Sequence, residues 1–242
     1  MTDFEYIKAN LTNDDYETRV EACKEFRENS DRPQTKKAAN RPFAFGEIRQ
    51  PQTTMLVIPK VSSERREYIP IGFIKPEIIV NGSALIMPDA DIYSFGVLSS
   101  STHNAWMRVV AGRMKSDYQY SGKIVYNNFV WPDPSEAQKR TIEKCAQEVL
   151  EARDNYPNWS FAQLYDPDEM PDDLRNAHKA LDAAVEAAYG VDFGGDEEKI
   201  VAHLFKLYEA ALNNENGKAT IQKETTPKST GIKVKVKRVN KQ

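Results

Sequence analysis

The chain has 242 residues, 40% hydrophobic and 29% charged, which is a globular composition large enough for one big or two small domains. No run approaches the roughly 18 apolar residues of a membrane span, and the polar opening MTDFEYIKAN has no signal-peptide core, so a cytoplasmic protein is expected. The net charge of −3 is unevenly placed: residues 1–131 carry 17 basic and 16 acidic side chains, 132–216 carry 8 and 19, and 217–242 carry 8 and 1.

Asn13 to Glu28 has a helical pattern, with Asp14 or Asp15 able to cap it and Tyr16, Val20, Cys23 and Phe26 on one stripe. Arg32 to Arg41, with Pro33, Lys36 and Lys37, reads as a loop. Strand signals follow at Thr54–Pro59, Tyr68–Phe73, Ile78–Val80, Ala84–Met87 and Ile92–Leu98. Five prolines punctuate them and argue for short or edge strands. Thr102 to Met114 predicts a helix with Ala105, Trp106, Val109 and Val110 on its apolar side. Lys115 to Ser121 then alternates, and Trp131-Pro132-Asp133-Pro134 stops both helix and sheet.

The second half is helical. Ser135 can cap a helix with the stripe Ile142, Cys145, Ala146 and Val149. A second helix runs over Asp172–Tyr189 with Gly190 as its stop, and a third over Asp196–Leu212. The tail ends in GIKVKVKRV, a solvated segment or an added strand. The expected class is α+β: a mixed first domain (1–132) with short, mostly antiparallel strands, a small α-helical domain (133–213) and a basic tail (214–242). Cys23 and Cys145 lie far apart in helical segments and fit reduced, buried thiols. Three scattered histidines give no zinc spacing.

Gly112–Pro134, GRMKSDYQYSGKIVYNNFVWPDP, holds the most informative residues. In an extended strand Lys115, Asp117 and Gln119 share one face, presenting a pure donor, a pure acceptor and a group that is both. That set can tell base edges apart in a DNA major groove. It also suits a solvated strand edge.

Four blocks resemble the target-recognition region of the MmeI-like DNA methyltransferases: RPFAFGEIRQP, IPKVSSERREYIPIGF, HNAWMRVVAGRMKSDYQYS and IVYNNFVWPDP. SEAQKRTIEKCAQEVLEARDNYP and LYDPDEMPDDLRNAHKALDAAVEAAYG resemble the helical domain that closes those chains. The family contains adenine methyltransferases, many of them also restriction enzymes, and its catalytic half would lie before Met1.

The resemblance implies that Lys115, Asp117 and Gln119 choose bases, with Gly82, Ser83 and Lys60 nearby in the same role. Asn81-Gly82 is equally a hairpin-turn signal. Ser62, Ser63, Arg65 and Arg66 form a candidate phosphate clamp or, with Glu64, a solvated turn. Of Arg108 and Arg113, one is expected on the DNA backbone and one inside the domain. Phe43 and Phe45, flanked by Arg41 and Arg49, are expected to be structural, as is His103.

No catalytic residues are assigned. A cofactor-binding glycine turn and an Asn/Asp-Pro-Pro-aromatic base pocket are missing, and Tyr126-Asn127-Asn128-Phe129 lacks both prolines. S-adenosylmethionine would bind in the parent enzyme and not in this chain, which itself calls for no cofactor or metal. The implied partners are double-stranded DNA and a methyltransferase domain, in cis or in trans, and no membrane. The rival reading is a scaffold that docks a partner on its acidic helical half. Stand-alone nucleic-acid binders are usually more basic than this chain.

Overall fold

The computed structural model describes residues 15–44 and 51–218. The chain forms two compact units, Met1–Arg49 and Gln50–Gln242.

In the first unit, α1 (Tyr16–Glu28) is capped by Asp15, whose carboxylate accepts from the Thr18 amide at 2.7 Å. The expected stripe is only partly buried: Tyr16 and Phe26 are exposed, and Ala22 is the buried residue of the helix. The segment read as a loop is instead a short helix α2 (Pro33–Lys37) continued by a 3-10 turn (Ala38–Asn40). Pro33 takes the first helical position, where its missing N–H costs nothing. Phe43, expected to be structural, is 71% exposed. Phe45, Arg49, the start of the predicted first helix and the end of the basic tail lie outside the described residues.

The second unit carries two three-stranded antiparallel sheets. The first has β1 (Met55–Pro59) between β3 (Gly72–Ile74) and β4 (Ala84–Pro88). The second orders β2 (Val61–Ser62), β6 (Asp117–Gln119) and β5 (Gly112–Met114). Ile78–Val80 forms no strand, and only Gly72–Ile74 of the Tyr68–Phe73 region pairs.

Between β4 and β5 in the chain, Ile92–Ser99 is a helix, α3, where a strand is predicted. Asp91 caps it through the Ser94 amide at 2.8 Å. Five of its eight residues are buried, so it shows no polar face by which a period could be read. Helix α4 (Ser101–Val110) ends four residues before the predicted end at Met114, and Gly112–Met114 goes into β5.

Helix α5 (Glu136–Asp154) begins with a full capping box between Ser135 and Gln138. The short α6 (Phe161–Leu164), absent from the prediction, has a second box between Ser160 and Gln163. Helix α7 (Asp172–Ala188) ends before Gly190 at φ 74°, and α8 (Glu197–Lys218) runs past the predicted end at Leu212.

One core joins sheets and helices: Leu56, Ile71, Phe95 and Leu98 are buried together with Ile142, Val149 and Leu181. Helix α3 lies against α5 and α7 at Gly96, where an added Cβ would sit 2.9 Å from Ile142 Cγ2 and 3.0 Å from Ala146 Cβ. Trp131–Pro134 is therefore a connection between segments that share this core. Both cysteines are free and half-buried rather than buried.

Candidate nucleic-acid interface

The hairpin β5–β6 pairs Gly112 with Gln119, Arg113 with Tyr118 and Met114 with Asp117, leaving Lys115 and Ser116 as its two-residue turn. Lys115 is thus at the tip, with φ 58°, and not on a continuous strand face with Asp117 and Gln119. A lysine rarely occupies this left-handed region, which favours glycine, asparagine and aspartate. The period-two alternation holds from residue 117 onward. Tyr118 and Tyr120 turn inward and are buried, while Asp117 is half-buried and Gln119 exposed.

One contact joins the two strands of the hairpin and one fixes the hairpin to the body. The Arg113 guanidinium lies 3.8 Å over the ring of Tyr118, its cross-strand partner. Tyr120 shares a hydrogen bond of 2.9 Å with His103 Nε2 on α4. Burial pushes the His103 pKa down to about 3, so the ring is neutral near pH 7. His103 is structural, as expected.

Lys60 brings the other predicted base readers to the same place. Its amide donates to the Ser83 carbonyl at 3.0 Å, and its carbonyl accepts from the Tyr120 amide at 2.8 Å. Its ammonium donates to the Gly82 carbonyl at 2.7 Å. The segments 81–83 and 117–120 are therefore both bonded to one residue. Asn81–Ser83 is not a two-residue hairpin turn, because β3 and β4 both pair with β1 and not with each other. It is a side-chain-closed turn, in which Asn81 Oδ1 accepts from the Ser83 amide at 2.8 Å and from the Ser83 hydroxyl. Gly82 and Ser83 are exposed, and a Cβ on Gly82 would meet nothing within 4 Å.

The expected phosphate clamp divides. Ser62 is buried in β2, which removes it from a surface role. Ser63 Oγ accepts from the Arg65 amide at 3.3 Å. Arg65 is exposed but ion-paired with Asp168. No carboxylate among the described residues pairs with Arg66. Arg108 and Arg113 both have partners within the protein. Arg108 bonds Glu197 at 2.9 Å and the Glu67 carbonyl, and Arg113 bonds the Ser116 carbonyl at 2.8 Å. Both guanidinium groups thus hold protein partners in this structure.

Behind this face lies a buried polar chain that the sequence did not reveal. Arg153 is 5% exposed and has no carboxylate partner among the described residues. It donates to the Tyr165 hydroxyl and to the Ile71 carbonyl at 2.8 Å, and packs against the rings of Phe95 and Phe161. Tyr165 bonds His178 Nε2 at 2.8 Å, and His178 stacks on Tyr68 with ring centroids 4.1 Å apart. Tyr68 donates to Asp182 at 2.7 Å, and Asp182 also accepts the Ser101 amide at the start of α4 at 2.6 Å. Burial raises the Asp182 pKa to about 6, against the opposing hydrogen bonds. Arg153 and Asp182 sit in helical sequences where charged residues ordinarily read as solvent-facing, so no pattern marks them.

Among the described residues no group of three His, Cys, Asp or Glu could hold a metal ion, and no helix is long and apolar enough to cross a membrane. The arrangement is a hairpin tip and a neighbouring turn, both rich in hydrogen-bonding groups, set on a shared core. Residues 3–133 match the family described as MmeI, target recognition domain, and residues 134–214 match MmeI, C-terminal domain. The chain belongs to the MmeI target recognition domain family.

It is 38% identical over 207 residues to DNA methyltransferase A of Bacillus subtilis (strain 168), covering 85% of this chain and 23% of that protein. It is also similar to the solved structure of the Type IIL restriction-modification enzyme MmeI in complex with DNA. There the TM-score is 0.75 at 41% identity, over 84% of this chain and 28% of that one. The chain thus spans about a quarter of the length of these relatives.

Proposed function

We propose that this chain selects the DNA sequence on which a methyltransferase acts. The carrying observation is the convergence at Lys60 of the β5–β6 hairpin and the Asn81–Ser83 turn, in a chain of the target-recognition family. A two-stranded ribbon fits a DNA major groove. Lys115 at the tip donates to guanine N7 and O6, Asp117 accepts from the cytosine amine, and Gln119 can do both. Lysine and aspartate so placed read one G·C pair from both sides, each contact discriminating by about 1–3 kcal/mol. Gly82, Ser83 and Lys60 approach the neighbouring bases. Ser63, Arg65 and Arg66 supply backbone contacts, with Arg65 exchanging Asp168 for phosphate.

Recognition falls to the residues before about 133 and bracing to the helices after. The chemistry belongs to a methyltransferase domain outside these residues, joined in cis or in trans, in the cytoplasm. That domain would hold S-adenosylmethionine, whose methyl group goes to an adenine amine of the chosen site. Relatives of similar sequence carry the names of a DNA methyltransferase and a restriction-modification enzyme, which supports this reading.

The test is duplex binding followed by fluorescence anisotropy. Weak binding that falls steeply between about 50 and 200 mM salt is expected, since released counterions drive phosphate contacts. Binding without salt dependence, or none at low salt, contradicts the proposal.

A further inference from the structure

Residues 32–44 read RPQTKKAANRPFA, with four basic side chains and no acidic one. Helix α2 and the 3-10 turn fold this segment against the end of α1. One side chain closes it: Arg27 donates to the carbonyls of Ala38 at 3.0 Å, Arg41 at 2.8 Å and Ala44 at 2.8 Å. Arg27 is therefore committed to the shape of the segment. That shape presents Lys36 and Lys37, both exposed and neither paired with a carboxylate among the described residues. Lys37 lines an open polar cup with Gln34, Thr35, Asn40 and Arg41, which contains cations and neutral polar groups but no carboxylate. Complementing the dipole of α2 explains little of this, because the helix has only five residues.

Most arginines described in the second unit are engaged within the protein. Arg65, Arg108, Arg113, Arg153 and Arg175 each bond a protein partner, and the Lys60 ammonium holds the Gly82 carbonyl. Residues 132–216 add 19 acidic side chains against 8 basic ones. A DNA duplex carries one negative charge per about 1.7 Å of axis, and a protein that reads its bases must also neutralise phosphates.

We propose that the N-terminal unit is a second DNA contact, independent of sequence, in which Lys36 and Lys37 neutralise backbone phosphates. The inference rests on the reading of the chain as a duplex-DNA binder. Phosphate contacts hold a protein on the duplex and carry no sequence information, so this unit adds affinity while the hairpin adds choice. Both units belong to one chain, so a contact made by one raises the effective concentration of the other at the DNA.

The experiment measures duplex affinity of the full chain from 50 to 200 mM salt, on several sequences. It compares wild type with a Lys36→Gln, Lys37→Gln pair and a Lys36→Arg, Lys37→Arg pair. Both lysines are exposed, so all three proteins should give the same circular dichroism. The glutamine pair is expected to lower the salt slope by about 2 and to weaken binding equally on every sequence, while the arginine pair keeps the slope. An unchanged slope in the glutamine pair overturns the proposal. The hairpin reading is judged separately, by whether a Lys115→Glu, Asp117→Arg pair changes sequence preference. Absence of duplex binding by wild type overturns both.

Discussion

Arg153 shows how much one side chain can set. Its guanidinium is buried without a carboxylate partner among the described residues and is held by the Tyr165 hydroxyl, the Ile71 carbonyl and aromatic faces. Removing it leaves those polar groups unpaired in the core, which costs about 1–3 kcal/mol for each buried group. Arg153→Ala is therefore expected to lower the urea midpoint by the equivalent of roughly 3 kcal/mol or more. A loss under about 1 kcal/mol, the size of a typical exposed pair, would mean that the site is solvated. Lys115 is the opposite case. It sits exposed at a positive φ at the hairpin tip, so its replacement should alter binding and leave stability nearly unchanged.

Elements differ in how far the sequence reveals them. Helices α5 and α7 have polar outer faces, with a capping box on α5 and an acidic first turn and a glycine stop on α7, and their positions follow from those signals. Helix α3 does not, because burial on nearly all sides removes the polar face and leaves a run of Ile, Tyr, Phe, Val and Leu that reads as strand. The end of α4 was misplaced for a related reason. Gly112–Met114 continues the helical pattern, but pairing with β6 outweighs the local preference. The candidate site followed the same division. Residue types near Lys115 were legible, whereas its place at a turn tip and the tie through Lys60 depend on pairing between distant segments. Gly96 allows a direct test of how α3 packs. A Cβ there meets Ile142 and Ala146 at about 3 Å, so Gly96→Ala should cost about 1–3 kcal/mol through overpacking. Helix propensity alone would make the same change stabilising by about 1 kcal/mol, so a gain in the thermal midpoint would refute the close contact.

Across the whole molecule, ion pairs join the recognition segment to the closing helices: Arg65 with Asp168, Glu67 with Arg175, and Arg108 with Glu197. The buried chain from Arg153 to Asp182 reaches the start of α4, which leads into the hairpin. The C-terminal helices thus brace the element proposed to touch DNA. Buried titratable groups also give the fold a pH dependence. His103 and His178 are held neutral by burial, His103 with a pKa of about 3. Their folded values lie below the unfolded one of about 6.5, so the stability tied to them is complete above that pH and is lost as pH falls toward 3. Asp182 acts in the other direction. Its folded value of about 6 exceeds the unfolded 3.8, so acidification through that window relieves its burial cost. Two histidines against one aspartate predict lower stability at pH 5 than at pH 7 by urea unfolding. His103→Gln, which keeps a hydrogen-bonding group for Tyr120, should shrink the difference. Equal stability at the two values would contradict the buried, neutral histidines.

The central claim is that the hairpin tip chooses bases. It is tested most directly by selection from randomised duplex DNA at low salt, with wild type beside the Lys115→Glu, Asp117→Arg pair. The expected result is a site enriched by wild type and changed at one base pair by the variant, with both proteins folded. An enriched site identical in the two proteins, or no enrichment by the folded wild type, contradicts the claim.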